Sequence, residues 1–204
     1  MSFDDTYKTV AKQAESVFMD KCSRFIGYAI PLKDAQDVKM HLLKIKNEHP
    51  KARHYCWAYR LSTDRTIFRI NDDGEPSGTA GKPILNVLLS LDVTNILIVV
   101  VRYFGGHLLG IPRLVSAYKS ATTACIKNAS IITEVQQEVY QITFNYSAFS
   151  TVMSFIKKKG LSILSQNFTD EYVMLISIRK KEEAHILHEF KGINELFFKW
   201  IKSL

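Results

Sequence analysis

The order of apolar and polar positions predicts a mixed α and β chain built in two parts. After an opening segment read as helical, residues 25–32 form an apolar strand, and residues 34–48 place Val38, Leu42 and Ile45 at helical spacing with charges between them. Pro50 closes that helix. Residues 53–61 and 66–71 are rich in aromatic and β-branched side chains, and the short polar stretch 62–65 between them predicts a hairpin. Residues 84–91 are apolar nearly all round, as a buried helix would be, and Pro83 stands in its first turn, where a missing N–H costs nothing. Residues 96–101 form an aliphatic run without alternation, the pattern of a strand covered on both faces. Pro112 again marks a helix start, with Leu114, Ala117, Tyr118, Ala121 and Cys125 as one apolar stripe behind it.

A change of texture near residues 130–134 separates a second set of elements. Tyr140, Ile142, Phe144 and Tyr146 alternate with Gln141, Thr143 and Asn145 as a half-buried strand. Residues 148–159 read as a helix whose lysine-rich last turn is stopped by Gly160, both favourable at a helix C-terminus. A hairpin over 161–168 and 172–178, a helix over 181–190 and a last strand over 194–201 complete the order βαββαβ, the ferredoxin-like arrangement. The expected class is α+β: a two-layer α/β domain over 1–132 and a ferredoxin-like domain over 133–204.

The net charge of +7 becomes informative once it is located. Lys and Arg outnumber Asp and Glu by 15 to 8 in residues 21–119 and balance them 12 to 12 elsewhere, so the excess favours an anionic partner for the first part. The longest aliphatic run is far too short to span a bilayer, and no signal-peptide pattern opens the chain, which points to the cytoplasm and to no membrane partner. Cys22, Cys56 and Cys125 are odd in number and lack C-x-x-C spacing, so they read as reduced thiols rather than as disulfides or a zinc site.

Two Gly-rich loops carry the candidate chemistry. The first is Asp72-Asp73-Gly74-Glu75-Pro76-Ser77-Gly78-Thr79-Ala80-Gly81-Lys82-Pro83, running into a helix. Such a loop brings backbone N–H groups close to a ligand, and the helix dipole beyond favours a phosphate or carboxylate. A tight connection capped by Ser77 or Thr79 is the alternative. It is no P-loop, because Pro76 stands where the Walker pattern needs Gly and Pro83 where it needs Ser or Thr. The second loop holds Tyr103, Phe104, Gly105, Gly106, His107 and Leu108, flanked by Arg102 and Arg113 as possible anion clamps, with Phe104 and Leu108 read as core. Arg53 opens a strand that puts Tyr55, Trp57 and Tyr59 on one face. They are first of all core material, with base stacking or capture of a protein as the alternatives. The pair His54 and Cys56 lacks an orienting group for nucleophilic catalysis, and His185 with His188 lacks a third metal ligand. Nothing in the sequence calls for a cofactor or a metal.

At these residues the chain resembles the YigZ/IMPACT family. Ser23-Arg24-Phe25-Ile26-Gly27, His54 with Cys56-Trp57-Ala58-Tyr59-Arg60, the loop from Asp72 to Leu85, and residues 94–110 are similar to its signature blocks in the same order. The resemblance implies a first domain like the second domain of a small-subunit ribosomal protein. In bacterial members a ferredoxin-like domain follows, similar to the last domain of elongation factor G. It implies no established enzymatic activity. The resemblance also implies that eukaryotic relatives restrain a translation-regulating kinase through protein contacts, and RNA or ribosome binding is inferred for bacterial ones by analogy of fold. The chain departs from the bacterial pattern at Gly110-Ile111-Pro112-Arg113, where two glycines are lost and a cation is gained.

The resulting expectation is a non-catalytic, translation-associated binding protein that engages RNA, the ribosome or a translation factor. Its contact residues would be Asp73, Gly74, Glu75, Ser77, Gly78, Thr79, Gly81, Lys82, Arg102, Tyr103, Gly105, Gly106 and Arg113. The alternatives are a regulator that binds only protein, and an enzyme whose Lys82 and Arg102 hold an anionic metabolite while Asp73 or Glu75 holds Mg²⁺.

Overall fold

In the computed structural model, residues 5–63 and 65–204 are described, so Asp64 of the 62–65 turn and the first four residues lie outside the description. The chain is of the α+β class and divides into two compact units, Tyr7–Glu134 and one that joins Met1–Thr6 to Val135–Leu204.

In the first unit a five-stranded antiparallel sheet runs in the order β2 (Ala14–Asp20), β3 (Ser23–Pro31), β6 (Ile96–Tyr103), β4 (His54–Leu61), β5 (Ile67–Asn71). The aliphatic run of β6 lies at its centre and feeds two separate cores. Ile96, Ile98 and Val100 face α2 (Gly81–Leu91) and α3 (Ile111–Asn128), together with Leu88, Leu114 and Tyr118. Leu97, Val99 and Val101 face α1 (Val38–Glu48), together with Ile45, Tyr55 and Tyr59. A side-chain period of two explains why a strand buried on both faces must be apolar throughout. A two-stranded sheet of β1 (Thr6–Val10) and β7 (Ile131–Val135) joins the ends of this segment.

The opening segment is therefore extended rather than helical, which corrects the sequence reading. In β2 the burial alternates residue by residue along Ala-Glu-Ser-Val-Phe-Met-Asp, because one face, with Ala14 and Phe18, packs on the core that contains α3 and the other meets solvent, while the strand pairs along its whole length with β3.

The second unit has the order β8 (Gln137–Phe144), α4 (Phe149–Lys159), β9 (Ser162–Phe168), β10 (Tyr172–Arg179), α5 (Glu183–Phe190), β11 (Leu196–Ser203). Its antiparallel sheet is ordered β11, β8, β10, β9, as a ferredoxin-like fold requires. Ile142, Phe144, Met174 and Ile176 pack with Val152, Ile156, Ile186 and Phe190 of the two helices as its own core. Gly160 ends α4 in the left-handed conformation, at φ 64°, after three lysines in the last turn.

Candidate functional site

β5 and β6 both run antiparallel to β4, so they are parallel to each other and their two Gly-rich loops leave the sheet at the same end. There the loops run into the N-termini of α2 and α3.

The first loop is closed on itself by its own carboxylates. Asp72 Oδ1 accepts from the amides of Ala80 and Gly81 at 3.0 and 2.8 Å, and Oδ2 accepts from the amide of Gly78 at 2.8 Å. The anion at the start of α2 is thus the chain's own side chain, and the capping group is Asp72 rather than Ser77 or Thr79. The Thr79 hydroxyl turns back to the carbonyl of Pro76 at 2.6 Å. Asp73 Oδ2 accepts from the amide of Tyr55 at 2.7 Å, while its carbonyl lies 2.9 Å from His54 Nδ1. Gly74 and Gly78 take φ of 84° and 75°, a region that side chains disfavour. Ser77 and Lys82 are exposed, and Gly81 packs against Asn71, whose backbone nitrogen a Cβ would meet at 2.9 Å.

Beneath the loop lies a buried polar cluster. Glu75 Oε1 accepts from Arg102 Nη1 at 2.7 Å and from the Tyr118 hydroxyl at 2.8 Å. Both ionic side chains are nearly sealed, 4% exposed for Glu75 and 7% for Arg102. The guanidinium lies between the rings of Phe25 and Phe104, at 5.4 and 5.6 Å, and its Nε is buried without a hydrogen-bond partner among the described residues. Cys56 Sγ is 3.0 Å from the Asp72 carbonyl and 3.2 Å from the Tyr118 hydroxyl. Burial pushes the Cys56 thiol and the Tyr118 phenol far up, so both stay neutral and Cys56 is no nucleophile.

The second loop is anchored differently. The amide of Gly105 donates to Ser23 Oγ at 3.2 Å, and a Cβ there would stand 2.2 Å from the carbonyl carbon of Cys22, so only glycine fits. Gly106 turns at φ 85° and is open around its Cα. Phe104 and Leu108, expected in the core, are instead exposed, because the turn at Gly105 and Gly106 carries the chain outward and Leu109 takes the buried place. Arg113 forms a forked pair with Asp20, both Nε contacts at 2.9 Å, and its guanidinium holds the Asp20 carboxyl below the usual range. Each of the two expected anion clamps therefore already has a carboxylate of this chain.

On the α1 side, Tyr55 and Tyr59 are core residues and Trp57 is half-buried, stacked on Tyr59 at 5.9 Å. Arg53 is exposed beside them. The Tyr55 hydroxyl donates to the His49 carbonyl, and the His49 ring lies between the hydroxyls of Tyr28 and Tyr103 at 2.6 and 3.0 Å. Sequence reasoning missed Asp72 as the loop's anchor, Tyr118 as a polar partner, and Asp20 and Ser23 as supports. Their partners lie 6 to 93 residues away, beyond the spacing rules of a helix or strand. Among the described residues no group of three His, Cys, Asp or Glu stands together in a way that could hold a metal, and His185 pairs with Glu189. No helix among them is long and apolar enough to cross a membrane.

Residues 21–126, the segment that carries both loops and most of the five-stranded sheet, match the Impact N-terminal domain. The chain belongs to the IMPACT family. It is similar to an IMPACT family member of Haemophilus influenzae, 37% identical with 79% of each chain covered, and to IMPACT family member YigZ of Escherichia coli, 31% identical over 72% of this chain and 74% of the relative. A crystal structure of a hypothetical protein is similar along nearly the whole length, covering 98% of this chain and 99% of its own, with a TM-score of 0.74 at 25% identity. The IMPACT-type segment thus contains every residue of the buried cluster and both loops.

Proposed function

We propose that this chain is a non-catalytic binding protein associated with translation, whose first unit engages RNA, on or off the ribosome, through the basic surface around the carboxyl end of β6. The observation that carries the reading is the direction in which charges face. Several acids of this unit are held within it, Asp72 by three amides, Asp73 by Tyr55, Glu75 by Arg102, and Asp92 by Arg60 and Arg65, while Glu15, Asp34, Asp37, Glu48 and Glu134 stay exposed. Lys21, Arg24, Lys39, Lys44, Lys46, Lys51, Arg53, Arg69 and Lys82 are exposed and form no ion pair among the described residues. Exposed cations therefore outnumber exposed acids on this unit.

Arg24 and Arg53 flank the exit of β6. Arg24 pairs in register with Tyr103 and lies 5.7 Å from its ring, and Arg53 precedes His54, the register partner of Arg102. Two cations beside an exposed aromatic loop suit a phosphate backbone with an unstacked base. The two Gly-rich loops support this surface by fixing its shape. A reading in which Tyr55, Trp57 and Tyr59 anchor a protein partner has less to rest on, since two of the three are core.

Binding of the full chain to a single-stranded RNA oligonucleotide, titrated at several salt concentrations, tests the proposal. Affinity is expected to fall steeply with salt, and Arg24→Ala with Arg53→Ala should reduce the log–log slope by about 1.4, at about 0.7 per lost phosphate contact on a single strand. Absent binding, or binding indifferent to salt, would overturn it.

A further inference from the structure

The outer strand of the second unit, β9, is exposed at all seven of its residues, and among the described residues its only sheet partner is β10. Edge strands usually carry a charge, a proline or a cover that blocks pairing with another chain. β9, Ser-Ile-Leu-Ser-Gln-Asn-Phe, has no charge and no proline. A bulge at Leu164, where the register to β10 slips between Leu175 and Ile176, is its one irregularity. Ile163, Leu164 and Phe168 stand exposed along it, and Phe168 borders a recess of 320 Å³ lined also by Phe149 and Tyr172.

The charges bracketing this neutral edge have opposite signs. Lys157 and Lys158, exposed at the end of α4, precede it, and Asp170 and Glu171, also exposed, follow it. None of these four forms an ion pair within the described residues, whereas Lys159 is spent on Glu189.

We propose that β9 is a self-association surface, on which a second copy of this chain docks antiparallel about a two-fold axis near Ser165 and continues the sheet from four strands to eight. An isologous contact must be complementary to itself, and this edge is. Antiparallel pairing of two copies sets the lysines of each against the acids of the other at both ends, whereas parallel pairing sets like on like. A partner strand of a single sign would be repelled at one end. The backbone groups of β9 gain hydrogen bonds, and Leu164 and Phe168 lose water against the other copy. One strand per copy is a small interface, so the dimer is weak and forms as concentration rises.

Sedimentation velocity of the full chain over a concentration series tests this. The wild type should shift from monomer toward dimer, and the shift should weaken at high salt. Lys157→Glu with Lys158→Glu should weaken self-association about tenfold, as should Asp170→Lys with Glu171→Lys, by setting like charges together at both ends. An equimolar mixture of the two variants should restore association, because each end of the mixed dimer is again complementary. Leu164→Lys, which charges the edge without touching its flanks, should abolish it, with circular dichroism checking that the fold is kept. A wild type that stays monomeric throughout, or a dimer indifferent to Leu164→Lys, would overturn the proposal, as would two charge variants that fail to associate with each other while each folds.

Discussion

Asp72 shows how one side chain determines what a loop does. Its carboxylate takes three amides, two of them at the start of α2, where four N–H groups lack intrahelical partners. A glycine-rich segment before a helix reads in sequence as a cradle for an outside anion, and the amides do bind one, but it belongs to the chain. Asp72→Ala should therefore act on stability before it acts on any partner. Three charge-assisted bonds are lost and the freed amides are only partly reached by water, so the loss should be about 2 kcal/mol, read as a lower urea midpoint at unchanged m. Asp72→Asn keeps one oxygen as an acceptor for two of the amides and should recover about half of the loss. A midpoint that does not move in Asp72→Ala would mean that the loop does not depend on this closure.

At the scale of elements, Glu75, Arg102 and Tyr118 bring together three segments distant in sequence: the first loop, β6 and α3. A buried ion pair costs desolvation on both sides, and breaking it from one side leaves the other charge stranded. Glu75→Gln keeps an acceptor for the Tyr118 hydroxyl but strands Arg102, whose Nε already lacks a hydrogen-bond partner among the described residues, so it should cost about 3 kcal/mol. Replacing both residues, Glu75→Met with Arg102→Met, should cost less than Glu75→Gln alone in the same denaturation experiment. A double variant weaker than the single one would show that the pair stabilises on balance. None of this coupling is legible in the sequence, where Tyr118 is one member of an apolar stripe and its hydroxyl's partner is 43 residues away. What is legible is whatever a periodicity of 2 or 3.6 writes locally. The β6 run, the hairpin of β4 and β5, the stripe of α3 and the βαββαβ order all lie where the pattern puts them. The reading failed for the opening segment, where β1 takes its shape from the distant β7 and β2 from a tight hairpin with β3. It failed again at Phe104 and Leu108, because a positive-φ turn at Gly106 leaves no mark in hydropathy.

For the whole molecule, the two units have separate cores and their own acid-sensitive contacts. Asp5 belongs to the second unit: its carboxylate accepts from Arg179 Nε and from a second guanidinium nitrogen at 2.8 and 2.9 Å, and from the amide of Lys181 at 3.1 Å. The Arg179 side chain holds the Asp5 carboxyl at about 2, against an ordinary 3.8, despite burial that opposes ionisation. A carboxyl depressed in the folded state stabilises above its unfolded pKa, and that stability is lost as pH falls through the folded value. The contribution of Asp5 is therefore complete above about pH 5, falls progressively below that, and is gone by about pH 1, below the folded value of about 2. Burial opposes ionisation of Glu138 as well, but hydrogen bonds from Trp200, Ser203 and Lys180 outweigh it, so this carboxyl titrates low in the same direction. Asp5→Asn removes one of these groups and should lower the melting temperature at pH 6 while making it fall less steeply between pH 4 and pH 2. Because unit Tyr7–Glu134 holds none of these contacts, its amides should keep wild-type protection from hydrogen exchange in the variant at pH 6, while those of β8 and β10 exchange faster. Equal loss of protection in both units would show that they unfold as one, and a pH profile parallel to wild type would remove Asp5 from the acid response altogether.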